Sequence, residues 1–180
     1  RFYDHAGIDL VAVLRAGAQA LAAGHVVSGA STLTMQVARL LEEGPTGTVA
    51  GKIRQARVAL ALERKLSKAQ ILDLYLRLAP YGGNLEGVRA ASLAWFGKEP
   101  RRLTPAEAAL LIALPQSPEA RRPDRDPQAA QAARDRVLTR LAAAGALSED
   151  SARAAMREPV PTRRRDFPAL APHLTARLAT

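Results

Sequence analysis

The sequence predicts a mostly α-helical chain, and three observations carry that expectation. Apolar residues recur three and four apart through most of its length, which puts them on one face of a 3.6-residue helix. Helix-start signals punctuate the text at regular intervals: Asp9, Ser31 or Thr32, Ser67 with Gln70, Thr104-Pro105 with Glu107, Asp126-Pro127 and Ser148. No segment alternates apolar and polar residues with the period of two that a half-buried strand needs, and no internal repeat is present.

Taken in order, RFYDHAGID is a polar, aromatic-bearing lead-in, and Asp9 is placed to cap a helix through Leu10, Val11, Leu14, Ala18 and Leu21 that stops at Gly24. That helix is expected in the core. VVSGA reads as a turn, after which Ser31 or Thr32 caps a helix through Leu33, Val37 and Leu40 whose polar face shows Gln36 and Arg39. The glycine- and threonine-rich run 43–48 reads as a loop. Lys52 and Gln55 then stand three apart on one face of the next helix, with Ile53, Ala56, Leu60 and Ala61 as its expected buried stripe. A helix beginning with free N–H groups beside cationic side chains suits an anion, above all a phosphate.

Ser67 and Gln70 match a capping box, so the long helical pattern breaks near Leu66 and restarts as KAQILDLYL, ending at Pro80. YGGNLEG carries enough glycine for a tight loop with exposed N–H groups, and a short apolar helix follows it to Gly97. The helix after Thr104 is almost wholly apolar and therefore central. Two further helices start at Pro127 and Ser148, and from Pro159 the text turns proline-rich and basic, reading as a linker. Residues 1–158 are thus read as one domain and 159–180 as a linker.

The length, 180 residues, allows one well-cored domain. With 26 Lys and Arg against 17 Asp and Glu, the net charge of +9 points to an anionic partner: nucleic acid, acidic headgroups or a phosphorylated substrate. The absence of cysteine excludes disulfides and thiolate metal sites. No run reaches the roughly 18 apolar residues of a membrane span.

Five blocks stand in a telling order: RFYDHAGID, SGASTLTMQVAR, GKIRQARVALALERKLSKAQILDLYL, APYGGNLEGVRAASLAWFGK and LTPAEAALLIALPQSP. Together they resemble the peptidoglycan glycosyltransferases of family 51, the chain-polymerising domain of class A penicillin-binding proteins. The variants GKIRQ and APYGG are most similar to the penicillin-binding protein 1C branch. The resemblance implies a lysozyme-like helical fold on the periplasmic face of the bacterial inner membrane, held by an N-terminal anchor outside these residues. It implies lipid II and the nascent glycan chain as substrates, the membrane surface and cell-wall synthesis proteins as partners, and a transpeptidase domain beyond the linker. In the implied reaction the acceptor 4-hydroxyl attacks C1 of the lipid-linked donor sugar, and undecaprenyl pyrophosphate leaves with inversion.

The family's general base is a glutamate of a Glu-Asp pair ahead of the aromatic and His-x-Gly signature, which survives here as Phe2, Tyr3, His5 and Gly7. That glutamate would fall upstream of Arg1. The domain is therefore expected to be truncated at its N-terminus, and the 180 residues are expected not to polymerise lipid II although the parent protein does. By motif match, Ser31, Thr32 and Gln36 line the donor site, Arg39 replaces a phosphate-contacting lysine, and Lys52 matches the lysine of an Arg-Lys-x-x-Glu block. Asn84 is a further candidate substrate contact. Gly51 stands where that block has arginine, and Gln55 where it has its second, catalytic-site glutamate. Glutamine offers a divalent ion no negative charge, so no metal is required and Mg²⁺ or Mn²⁺ is expected to bind weakly at most.

Without the resemblance, Lys52 and Arg54 read as a solvated helix face, His5 as a structural histidine, Trp95 and Phe96 as core, Glu63 and Asp73 as helix-surface carboxylates, and Arg163, Arg164 and Arg165 as hydrated linker. Two other functions fit the residues. A degenerate transferase domain could bind lipid II as a non-catalytic scaffold, for which Gly51, Leu40 and Gln55 speak. A basic helical nucleic-acid binder has only the charge behind it, with no helix-turn-helix signature or stacking aromatic set.

Overall fold

The computed structural model describes residues 2–23, 31–42 and 48–167. The expected turn VVSGA, the helix stop at Gly24, most of the 43–48 loop and the linker beyond residue 167 lie outside the described residues. Eight α-helices are described: α1 Leu10–Ala23, α2 Leu33–Leu41, α3 Val49–Lys65, α4 Lys68–Leu78, α5 Val88–Phe96, α6 Pro105–Ala113, α7 Pro127–Ala143 and α8 Glu149–Met156. Among the described residues there is no strand, only an isolated antiparallel bridge between Pro80 and Glu86. No described helix is long and apolar enough to cross a membrane.

The helices begin where the caps put them. Asp9 accepts the Ala12 amide at 2.9 Å. Thr32 accepts that of Met35, Thr48 that of Gly51, Asp126 that of Ala129 and Ser148 that of Ser151. Between α3 and α4 the Ser67 amide donates to Gln70 Oε1 at 2.8 Å while the Gln70 amide reaches Ser67 Oγ at 3.3 Å. The reciprocal pair breaks one long helical pattern into two.

The described chain divides into two compact units, Arg1–Leu78 and Ala79–Thr180. In the first, α2 packs on α3 and α4. Its buried positions are Thr34, Met35, Val37 and Ala38. The face that α3 buries is Gly51, Gln55 and Ala59, four apart, not the expected stripe. Ile53 is 59% exposed and Leu60 is exposed as well. Small residues let two helix axes approach closely, so backbone proximity selects that row over the bulkier apolar one. The expectation for α1 fails similarly: Ala12 is buried, whereas Val11 and Leu14 face outward.

In the second unit α6 is central, as its composition requires, with Ala106, Ala109, Leu110, Leu111 and Ala113 buried against α5, α7 and α8. Thr104 and Glu107 complete a capping box, and Lys98 pairs with Glu107 at 2.8 Å. The Arg134 guanidinium is buried, donating to Asp135 at 2.9 Å and to the carbonyls of Met156, at 2.9 Å, and Glu158. The 79–87 loop is knit by its own backbone: Tyr81 N to Leu85 O at 2.9 Å and Gly87 N to Ala79 O at 3.0 Å. Gly82 and Gly83 take positive φ, +99° and +58°, within it. Of the arginines read as hydrated linker, Arg163 is exposed, whereas Arg164 is half-buried. The Arg164 guanidinium donates to Gly82 O at 2.8 Å and Asn84 Oδ1 at 2.9 Å.

Candidate active site

The candidate side chains of the first unit sit on α2 and α3. Thr32, at the start of α2, is buried and doubly committed: its hydroxyl accepts from the Met35 amide at 3.2 Å and donates to Gly7 O at 2.5 Å. Ser31, just before it, is exposed. Gln36, one turn further along the same helix, is half-buried, and Arg39 is exposed in the last turn. Burial pushes the Tyr75 phenol on α4 above its ordinary range, and the Arg39 charge opposes that shift.

On α3, Lys52 is exposed in the turn that Thr48 caps. Gln55 is only 7% exposed and belongs to the row that α3 buries. The expected grouping of Arg39, Lys52 and Gln55 therefore resolves into two exposed cations and an amide within the helix interface. Arg54 pairs with Glu42 at 3.1 Å, whereas Arg39 and Lys52 have no ion pair among the described residues. Cationic charge there is open to an anion. Asn84 belongs to the second unit, where it is exposed and accepts from Arg164.

Glu63 was read as a surface carboxylate, yet its side chain is 8% exposed. Its Oε1 accepts from Thr34 Oγ1 at 2.7 Å and from Lys68 Nζ at 2.6 Å. Burial raises the pKa of this carboxyl, but the Lys68 and Thr34 hydrogen bonds and the Lys68 charge outweigh it, and the net shift is downward. Lys68 also donates to His5 O at 2.5 Å and lies 4.6 Å from the Phe2 ring centroid.

The lead-in is thus pinned from three helices: by Thr32 at Gly7, by Lys68 at Phe2 and His5, and by α3 itself. A Cβ at Gly7, whose φ is +85°, would stand 3.1 Å from Ala59 O and 3.2 Å from Glu63 Cγ. The His5 ring has its Nδ1 buried, with no hydrogen-bond partner among the described residues. The signal that could have found this network is the charge pair Glu63 and Lys68 straddling the Leu66-Ser67 helix break, where each faces the other only once the chain turns.

A family model described as transglycosylase matches residues 1–142. The chain belongs to the transglycosylase family. This transglycosylase chain is 50% identical over 171 residues, 95% of its length, to penicillin-binding protein 1C of Escherichia coli K12. It is 38% identical to penicillin-binding protein 1A of the same organism over 83% of its length. It spans about a fifth of each relative, 22% and 18% respectively. The crystal structure of penicillin-binding protein 1A from Haemophilus influenzae aligns with a TM-score of 0.52 over 82% of the chain and 19% of that structure, at 24% identity. The mostly helical, lysozyme-like fold expected of the transglycosylase chain is the one they share.

Proposed function

We propose that this transglycosylase chain is the glycan-polymerising domain of a class A penicillin-binding protein, adding lipid II to a growing strand on the outer face of the bacterial inner membrane. The observation that carries the reading is the pair of exposed cations, Arg39 and Lys52, on two helices packed together, with the exposed Ser31 preceding one of them. Their charge would hold the diphosphate of a polyprenyl-linked sugar and meet the negative charge that builds on it as the glycosidic bond breaks. Arginine at position 39 can chelate two phosphate oxygens at once, and Lys52 supplies a compact point charge. Gln36 orients the donor sugar beside them, and Asn84 is assigned a substrate contact of its own. A general base contributes about 10²–10⁴-fold in such reactions, and the family resemblance assigns that part to a glutamate that has no match among these residues.

The residues present do not suit a divalent ion. Gln55 offers a neutral amide within the helix interface, and no three His, Asp or Glu side chains gather among the described residues. No step is therefore routed through a metal, and the two cations are assigned the leaving group. Gln55 also favours a second reading, a lipid II-binding scaffold, because an amide cannot exchange a proton near neutral pH.

Titration of the chain with lipid II, with a polyprenyl diphosphate as competitor and duplex DNA as control, tests the binding half. Saturable lipid II binding relieved by the diphosphate is expected; tighter binding to DNA would favour the nucleic-acid reading. For the parent protein, glycan synthesis is expected to fall less than about threefold with EDTA, and loss of all synthesis on chelation would overturn the assignment of Arg39 and Lys52 to the leaving group.

A further inference from the structure

Residues 158–165 run over the rest of the second unit and are tied to it at both ends. Glu158 carries two ties: its carbonyl accepts from buried Arg134, and its carboxylate accepts from Thr104 Oγ1 at 2.9 Å. The Arg165 amide donates to Ala94 O at 2.7 Å in the last turn of α5. Its stem passes over Gly97, where a Cβ would lie 3.0 Å from Arg165 Cδ. Between these ties Arg164 turns inward. Its guanidinium carbon lies 5.2 Å from the Trp95 ring centroid, and its two terminal nitrogens bond Gly82 O and Asn84 Oδ1.

The loop it grips has no room to spare. A Cβ at Gly83 would come within 2.5 Å of Arg164 Nη2, and one at Gly82 would meet Arg122 Cγ at 2.7 Å and Pro118 O at 2.9 Å. On the opposite side the Gly83 amide donates to Glu119 Oε1 at 2.5 Å. The glycine pair is therefore clasped between the turn that carries Glu119 and Arg122 and the segment that carries Arg164. The loop's own backbone bonds close its base, at Ala79, Tyr81, Leu85 and Gly87, and one more runs from Leu85 N to Gly82 O at 3.2 Å, while the outside groups add the ties at Gly82, Gly83 and Asn84.

We propose that 158–165 is a strap and that Arg164 is a positioning residue, fixing the tip of the 79–87 loop and through it the side chain of Asn84. A planar guanidinium can hold two acceptors in fixed geometry while stacking on an indole, which a lysine ammonium cannot do. The role of Asn84 toward substrate rests on the proposed function; the clasp itself does not.

Amide hydrogen exchange on the 180-residue chain tests the clasp. In Arg164→Met, peptides covering 80–87 are expected to exchange roughly tenfold faster while α6 and α7 keep their protection. Unchanged exchange at 80–87, or equal acceleration throughout α5–α8, would overturn the proposal. If Arg164→Met does not fold, R164K answers the same question with the same two outcomes, since it keeps charge and stem but lacks the planar fork that fixes both acceptors. In the parent enzyme, Arg164→Met is expected to raise KM for lipid II several-fold with kcat within twofold, partly rescued by R164K. No turnover in the unaltered parent would defeat the functional reading and leave the exchange result standing, whereas normal exchange with an altered KM would defeat the strap.

Discussion

At the scale of single residues, Glu63 shows how one carboxylate can organise a segment distant in sequence. It holds Lys68, and Lys68 holds the backbone of His5 and the ring of Phe2. The carboxyl's folded pKa lies below its ordinary value. Its stabilising contribution is accordingly complete above the unfolded value near 4.3 and is lost as pH falls through the lower folded value. Glu63→Gln removes the charge and leaves a half-buried ammonium without its partner. It is expected to cost about 1.5–3 kcal/mol at pH 7, with the gap to the unaltered chain closing in the acid range. Urea unfolding at pH 7 and at pH 3 checks both parts, and a penalty independent of pH would show that the charge plays no role. Helical periodicity alone does not distinguish Glu63 from Asp73, which lies on an exposed face and pairs with Arg77. The difference is made by Thr34 and Lys68, brought in by other elements.

At the scale of elements, what could be read in the sequence was what is decided locally. Asp9, Thr48, Ser67 with Gln70, Thr104 with Glu107, Asp126 and Ser148 make their bonds within three residues, and all except Thr48 could be picked out as helix starts before the fold was in hand. Which face a helix buries is decided by its partner. In α3 the apolar count favours Ile53 and Leu60, but α3 turns the smaller row of Gly51, Gln55 and Ala59 inward. Two substitutions separate these readings. Ala59→Leu overpacks a fully buried position and is expected to cost roughly 1–3 kcal/mol, whereas Ile53→Ala is expected to stay within about 0.5 kcal/mol. Thermal unfolding measures both, and the reverse order would restore the Ile53 stripe as the buried one. The strap escaped sequence reading for a similar reason: PVPTRRRD has the composition of a solvated linker, and the Trp95 indole, the Gly82 carbonyl and the Asn84 side-chain oxygen, all distant in sequence, give Arg164 somewhere to go.

At the scale of the whole molecule, the net charge of +9 admits several anionic partners. Part of the cationic surface is internally matched: Arg54 with Glu42, Arg77 with Asp73, Arg89 with Glu99, Arg122 with Asp124 and Arg153 with Asp150. Arg39 and Lys52 have no such partner among the described residues, nor do the exposed Arg57, Arg64, Lys65, Arg136 and Arg140, and it is the proposed function that singles out the first two. The central claim is that these two cations bind the diphosphate end of the donor. Steady-state glycan synthesis by the parent protein carrying Arg39→Ala and Lys52→Ala together tests it most directly. The account predicts a fall in kcat/KM of about 10²-fold or more with the unfolding midpoint unchanged, and a loss smaller than about threefold would contradict it.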